Sequence, residues 1–158
     1  MIVAFKKGYH DLLSGNWWIA LGIMVRTCSI YTHCELQFSD GYCITASSAI
    51  NDSTKDGVDI RPLDVSGPEW DRIRIDITKF GWKSEAECRA KAEYYKNTNK
   101  GYAIGDLWKH ELFGEKIKKG FQFYCSGIVA CLLKRKPILI NPGELYSKLM
   151  RLPHTCIA

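Results

Sequence analysis

Two residues in YTHCELQ (residues 31–37) are of types that could do chemistry together: His33 and Glu35. The stretch has the composition of a β-strand, and a strand sends alternate side chains to the same face. The pattern therefore predicts that the imidazole and the carboxylate lie side by side, with Cys34 directed to the opposite face. A carboxylate beside an imidazole orients the ring and favours its charged form, so the pair could act in acid–base catalysis if a nucleophile joins it.

Cys125 is the candidate nucleophile, because FQFYCSGIVACLL (121–133) begins extended and becomes an apolar helix at about this residue. The first turn of a helix has unpaired N–H groups and the positive end of the helix dipole, and both stabilise a thiolate. We therefore expect Cys125 to attack a carbonyl carbon, His33 to exchange the proton and Glu35 to orient the ring. The backbone N–H of Cys125 would donate one hydrogen bond to the developing oxyanion.

The elements that must position these residues alternate without a regular βαβ rhythm, which favours an α+β fold. The length of 158 residues suits a single domain, residues 1–158. Apolar alternation, caps and turn residues predict strands at 1–5, 32–38, 42–47, 58–63 and 70–77, and helices at 16–27, 84–99, from about 125, and at 140–150. The helix over 17–25 is apolar nearly all round, so we expect it to be buried.

Composition limits the class of protein and its surroundings. The chain is 46% hydrophobic with a net charge of +5, too weakly basic for a dedicated nucleic-acid binder, and we expect its basic runs at 109–120 and 134–136 to be solvated. No apolar run approaches the ~20 residues of a membrane span. Charges follow rather than precede the apolar start of MIVAFKKGYHDLL, so we expect no signal peptide and a cytoplasmic location. Seven cysteines without a CxxC pair favour a reducing compartment over disulfides.

The order of the motifs resembles a known family. YTHCEL followed by FYCSGIVACLL is similar to the circularly permuted papain-like cysteine hydrolases of the NlpC-type superfamily, in the branch related to lecithin:retinol acyltransferase. His33 and Glu35 match the histidine strand, and Tyr124, Cys125 and Ser126 match the start of the cysteine helix. The resemblance implies a small antiparallel sheet packed against a buried cysteine-bearing helix and further helices. It also implies Cys125 as nucleophile, His33 as base and Glu35 as the third polar residue.

Other positions are assigned more loosely by this resemblance. Tyr102, in GYAIGDLW, resembles a tyrosine that some members place near the site, and Tyr102 and Tyr124 are therefore expected to contact substrate. Many members have a hydrophobic residue where Cys34 stands, and many have Glu where Gly127 stands. The compact format suggests a phage or another mobile element as the source, which would place the protein in a virion or a host cell.

The expected function is that of a cysteine hydrolase or acyltransferase acting on an amide, ester or thioester. Its substrate would be a peptide, a peptidoglycan fragment or a lipid, and no cofactor is expected. The alternative is a catalytically inactive papain-like module that captures a host protein.

Two structural alternatives compete with the catalytic interpretation. Glu35 could pair with Arg26 or with another cation across the sheet. A zinc site could also be imagined from four residues close in the sequence: Cys28, His33, Cys34 and Cys43. Because neighbours on a strand face opposite ways, His33 and Cys34 cannot easily reach one ion, so we expect no metal.

Overall fold

The described part of the chain forms an α+β domain around one antiparallel sheet. The computed structural model describes residues 1–13, 17–47, 57–98, 125–133 and 140–158. The strands are β1 (Ile2–Lys7), β2 (Tyr31–Gln37), β3 (Tyr42–Ser47), β4 (Gly57–Pro62), β5 (Trp70–Ile75) and β6 (Thr155–Ile157). They are ordered β4-β3-β2-β1-β5-β6, and each neighbouring pair is antiparallel. The prediction of an α+β fold is confirmed, and β6 is a strand that the sequence analysis missed.

The α-helices are α1 (Trp17–Thr27), α2 (Glu85–Thr98), α3 (Cys125–Leu132) and α4 (Pro142–Met150). Their starts follow from local chemistry. Ser84 Oγ accepts a hydrogen bond from the Glu87 backbone N–H at the start of α2, at 3.3 Å. Asn141 caps α4 in the same way by accepting from Glu144 at 2.9 Å, with a proline in the first turn.

Short 3₁₀ helices also occur at Gly8–Leu13 and Ile77–Phe80, where no such element was predicted. Asp76 explains the second one, because its side chain accepts hydrogen bonds from both the backbone N–H and the hydroxyl of Thr78. This capping turns the chain out of β5, which therefore ends at Ile75, two residues before the predicted end of the strand.

The hydrophobic core lies between the sheet and helices α2, α3 and α4. Alternate side chains of β2 point into this core or to the opposite face of the sheet. Val3 and Phe5 of β1 belong to this core, and their register partners on β2 are Leu36 and Cys34. Ala4 belongs to a smaller cluster on the opposite face, and its register partner is Glu35. Cys34 is therefore directed toward the helices and Glu35 away from them, as the alternation of side chains predicts.

Helix α1 departs from the prediction that it is buried. Trp17, Trp18 and Val25 are 51%, 57% and 69% exposed, and Leu21 is 40% exposed. Uniform apolarity along a helix signals burial only if another element covers each of its faces, and the described residues leave one face of α1 uncovered. None of the described helices combines the length and apolarity required to traverse a bilayer.

Candidate active site

His33 and Glu35 lie side by side on β2, as the two-residue spacing predicts. His33 Nε2 is 3.2 Å from Glu35 Oε1. The Glu35 side chain is completely buried, whereas the His33 side chain is 22% exposed. The carboxylate therefore acts from inside the protein on an imidazole that retains access to solvent.

The pairing between β2 and β3 is short and ends before His33. The recorded pairing between these strands consists of Leu36 with Ile44 and Gln37 with Cys43, and it does not continue toward His33. Beyond it, the Thr45 hydroxyl takes the place of a backbone partner and donates to the Cys34 carbonyl at 3.3 Å. Thr45 Oγ1 also lies 3.1 Å from His33 Nε2.

Cys125 is the third residue that the sequence predicts to be catalytic. It is the first residue of α3 and is 3% exposed, and Cys125 and His33 each shift the pKa of the other toward the charged form. Cys34, on β2, also lowers the pKa of Cys125. The neighbouring Ser126 anchors the start of α3 by donating to the Ile140 carbonyl at 2.5 Å. The structure thus pairs His33 directly with Glu35, and Cys125 influences the pKa of His33.

The charges and burial around Cys125 and His33 favour a Cys125 thiolate paired with a His33 imidazolium. A hydrogen bond from the Cys34 thiol is the main cause that lowers the pKa of Cys125 well below its ordinary value, and the charge of His33 lowers it further against the effect of burial. Burial alone would lower the pKa of His33, but Cys125 and Glu35 outweigh it and raise that pKa to about 10. Burial keeps the pKa of Cys34 well above its ordinary value, so this thiol stays protonated and can donate.

Arg61 is a member of the site that the sequence analysis did not identify. From the edge strand β4, its Nη2 donates to Glu35 Oε1 at 3.2 Å. The alternative in which Glu35 pairs with a cation across the sheet is therefore realised by Arg61, in addition to the contact with His33. The side chain of Arg26 lies outside what the structure describes. The register of Arg61 opposite Cys43 could not be deduced without knowing how β3 and β4 pair.

Cys43 lies on the same face as Glu35 and is a second neighbour of its carboxylate. Burial, and then the charge and hydrogen bonding of Glu35, raise the pKa of Cys43 to about 12. This thiol therefore remains neutral and is not a competing nucleophile. Its position also separates it from Cys34 in the helix-side core, and among the described residues no group of three His, Cys, Asp or Glu side chains could hold a metal ion.

Tyr102 and Tyr124, which were predicted to contact substrate, lie outside the described residues. A cleft of about 550 Å³ opens elsewhere, between the turn that precedes β2 and helix α4. Its lining includes Tyr31, Tyr146 and Arg151 but none of the three predicted catalytic residues. Because the cleft does not contain the predicted catalytic residues, its lining does not indicate which substrate they would act on.

Comparison with protein-family models, with curated proteins and with solved structures finds no match to this chain. The functional argument therefore depends on the geometry of these side chains.

Proposed function

We propose that this protein is a thiol-dependent acyl-transfer enzyme, a hydrolase or an acyltransferase, that uses Cys125, His33 and Glu35. The observation that carries the proposal is the 3.2 Å pairing of His33 Nε2 with buried Glu35, together with the mutual influence of His33 and Cys125, at the start of α3, on each other's pKa. A structural histidine needs neither a thiol partner nor a buried carboxylate. The combination is the arrangement that nucleophilic catalysis requires.

The reaction would begin with attack by the Cys125 sulfur on the carbonyl carbon of an amide, ester or thioester. Its position at the start of α3 gives the oxyanion a backbone N–H donor. His33 then transfers a proton to the leaving group as the bond from carbon to that group breaks. Since Nε2 is engaged with Glu35 and Thr45, Nδ1 is the nitrogen left for this exchange.

The resulting acyl-Cys125 is released when a second nucleophile attacks it. His33 takes a proton from water in a hydrolase, or from an alcohol or amine in an acyltransferase, and Cys125 leaves as the thiolate. The side of His33 that is exposed is the route by which substrate and acceptor would arrive. A peptide, a peptidoglycan fragment and a lipid all contain a suitable carbonyl, so the substrate has to be found by experiment.

A permuted papain-like fold is part of the proposal. Its support is the chain order, in which the histidine strand β2 precedes the cysteine helix α3, together with the packing of α3 in the core against an antiparallel sheet. The resemblance in the sequence motifs points the same way.

The experiment is a search for the acyl-enzyme by intact-protein mass spectrometry. The protein is mixed with a panel of activated acyl esters, acyl thioesters, short peptides and muropeptides, and adducts are located by digestion. We expect an adduct on Cys125 that is absent from Cys125→Ser and strongly reduced in His33→Ala. Cys131→Ser is the matched control, because it removes another cysteine of α3 and should leave the adduct unchanged. Equal acylation of several cysteines, independent of His33, would refute the proposal.

A second candidate is a catalytically inactive papain-like module that captures a host protein, and the exposed face of α1 favours it. Trp18 and Val25 are 57% and 69% exposed on this face. Apolar area of this kind is typical of a surface that binds another protein. This candidate predicts no acyl-enzyme with any donor, whereas the enzyme predicts that Trp18→Ser combined with Val25→Ser still acylates Cys125.

A further inference from the structure

Thr45 is a polar residue of β3 that is completely buried, and its hydroxyl lies beside the imidazole of the candidate site. Its Oγ1 is 3.1 Å from His33 Nε2. The same hydroxyl can donate to the Cys34 carbonyl at 3.3 Å or to the Ala46 carbonyl at 3.4 Å. A hydroxyl has one hydrogen to donate and lone pairs to accept with, whereas a carbonyl only accepts. While its hydrogen is directed to a carbonyl, the Thr45 oxygen therefore faces His33 as an acceptor.

Glu35 gives an independent reason for a hydrogen on His33 Nε2. Its Oε1 is 3.2 Å from that nitrogen, and an ionised carboxylate can only accept. Arg61 Nη2 donates to the same oxygen at 3.2 Å, and a guanidinium beside a carboxyl group favours its ionised form. A lone pair on Nε2 would face this negative oxygen without a hydrogen between them. The hydrogen therefore lies on Nε2, where two oxygens can accept it.

We propose that Thr45 is a positioning residue, which together with Glu35 fixes the neutral His33 ring as the tautomer protonated at Nε2. In this tautomer Nδ1 carries the lone pair and is the nitrogen that can take up a proton. The catalytic consequence rests on the proposed function, because it is there that His33 exchanges a proton with Cys125 and the leaving group. The tautomer itself is a property of the resting protein and can be observed without substrate.

The two acceptors at His33 Nε2 have different tasks. Glu35 Oε1 is shared with Arg61, whereas in the described part of the chain no other donor to the Thr45 oxygen is recorded. The carboxylate belongs to β2 and the hydroxyl to β3, so the ring nitrogen is held from two strands. A half-turn of the ring would put a carbon where Nε2 lies and would lose both hydrogen bonds. Thr45 therefore adds to the orientation that Glu35 provides.

The test is NMR of the imidazole nitrogens in the full chain labelled with ¹⁵N, carrying Cys125→Ala. Cys125 raises the pKa of His33, so its removal makes the neutral ring accessible at a lower pH. The His33 signals are identified by their loss in His33→Ala. Above the pKa we expect a protonated, pyrrole-type Nε2 and an unprotonated, pyridine-type Nδ1. The opposite pattern would overturn the proposal whether or not any variant of Thr45 folds.

Substitution of Thr45 separates its role from that of Glu35. Thr45→Val keeps the shape of the side chain without the hydroxyl, and we expect both nitrogen shifts to move toward each other as the second tautomer becomes populated. Thr45→Ser restores the hydroxyl and should restore the shifts. Thr27→Val is the matched control, because it removes a hydroxyl that donates to the Ile23 carbonyl on α1 and should change nothing. Thr45→Ala repeats the test without a β-branched side chain. Unchanged shifts in the valine and alanine variants would overturn the role of Thr45.

The rate of acyl-Cys125 formation links the tautomer to the proposed function. With Cys125 present, Thr45→Val should slow the formation of the adduct by about fivefold to tenfold, a small part of what acid–base catalysis contributes, and Thr45→Ser should recover most of the rate. If the adduct forms and Thr45→Val changes neither its rate nor the tautomer, the role of Thr45 alone is wrong. If the tautomer depends on Thr45 but no donor acylates Cys125, the proposed function is wrong and the assignment of the tautomer stands.

Discussion

Arg61 and Glu35 are joined across two strand boundaries by a hydrogen bond of 3.2 Å between Nη2 and Oε1. The carboxylate is completely buried, while the arginine side chain is 33% exposed. A buried carboxylate requires a positive partner, and an arginine at the sheet edge can supply its charge while staying in contact with water. The hydrogen bond from Arg61 orients the Glu35 carboxylate, and this carboxylate in turn orients the His33 ring.

Arg61→Gln is expected to lower the free energy of unfolding by about 1–2 kcal/mol, because it leaves a buried carboxylate without its guanidinium, a cost moderated by the exposure of the arginine. Arg61→Lys retains the charge and should lose less. Urea denaturation measures the effect. The double variant Arg61→Gln with Glu35→Gln should recover part of the loss, since the buried charge is then gone. Strictly additive losses would show that the two side chains do not interact.

Glu35→Gln is expected to slow the formation of acyl-Cys125 by about tenfold to a hundredfold, a loss within the range of acid–base contributions. The amide oxygen can still accept a hydrogen bond from His33, but the negative charge that raises the pKa of His33 is removed. The rate of adduct formation by mass spectrometry measures this. Glu87→Gln, at an exposed position of α2, is the control for the same chemical change, and an equal effect of both variants would argue against a role for Glu35.

The pH dependence of stability should show a plateau from the thiolate–imidazolium pair. The pKa of His33 is raised from 6.5 to about 10, so its contribution is complete below 6.5 and is lost as the pH rises through about 10. The pKa of Cys125 is lowered from 9.0, so its contribution is complete above 9.0 and is lost as the pH falls through the lowered pKa. Where the pH is below 9.0 and above both 6.5 and the lowered pKa of Cys125, the two opposite slopes cancel.

The measurement compares the unfolding free energies of the natural chain and of Cys125→Ala across this pH range. We expect the difference between them to be constant over the plateau and to decrease on both sides of it. A difference that does not change with pH would mean that Cys125 and His33 are not paired as ions.

Ser126→Ala is expected to destabilise the protein by about 1–2 kcal/mol, because it removes a buried hydrogen bond of 2.5 Å to the Ile140 carbonyl. The bond holds the first turn of α3 against the segment that leads into α4, so its loss should also reduce the alkylation rate of Cys125. Thermal unfolding and alkylation kinetics measure the two effects. Ser39→Ala, at an exposed position, provides the comparison, and equal behaviour of the two variants would contradict this role of Ser126.

The predictable part of the site depends on local rules. A spacing of two residues on a strand was sufficient to place His33 beside Glu35, because alternation of side chains is a property of the strand itself. The helix start at Cys125 could be predicted from the change to small and apolar residues, and α4 from Asn141 followed by Pro142. These features require no knowledge of how the strands are ordered.

The part that could not be predicted depends on contacts between distant elements. Arg61 reaches Glu35 only because β4 pairs with β3, and the contact of the Thr45 hydroxyl with the Cys34 carbonyl depends on how β2 and β3 lie together. Cys34 was expected on the face opposite to Glu35, which is correct, but the sequence could not show that this face packs on the core in which Cys125 also lies. The prediction that α1 is buried was wrong, because burial depends on whether another element covers the helix. The cytoplasmic location, the phage source and the roles of Tyr102 and Tyr124 stay predictions.

The most direct test of the central claim is the pH dependence of iodoacetamide alkylation at Cys125, in the natural chain and in His33→Ala. The account predicts that Cys125 of the natural chain reacts faster than the other six cysteines, with a rate that stays high well below its ordinary pKa of 9.0. In His33→Ala the rate should fall and its midpoint should move up toward that value. Two identical profiles with midpoints near 9.0 would contradict the account, because His33 would then have no influence on the sulfur.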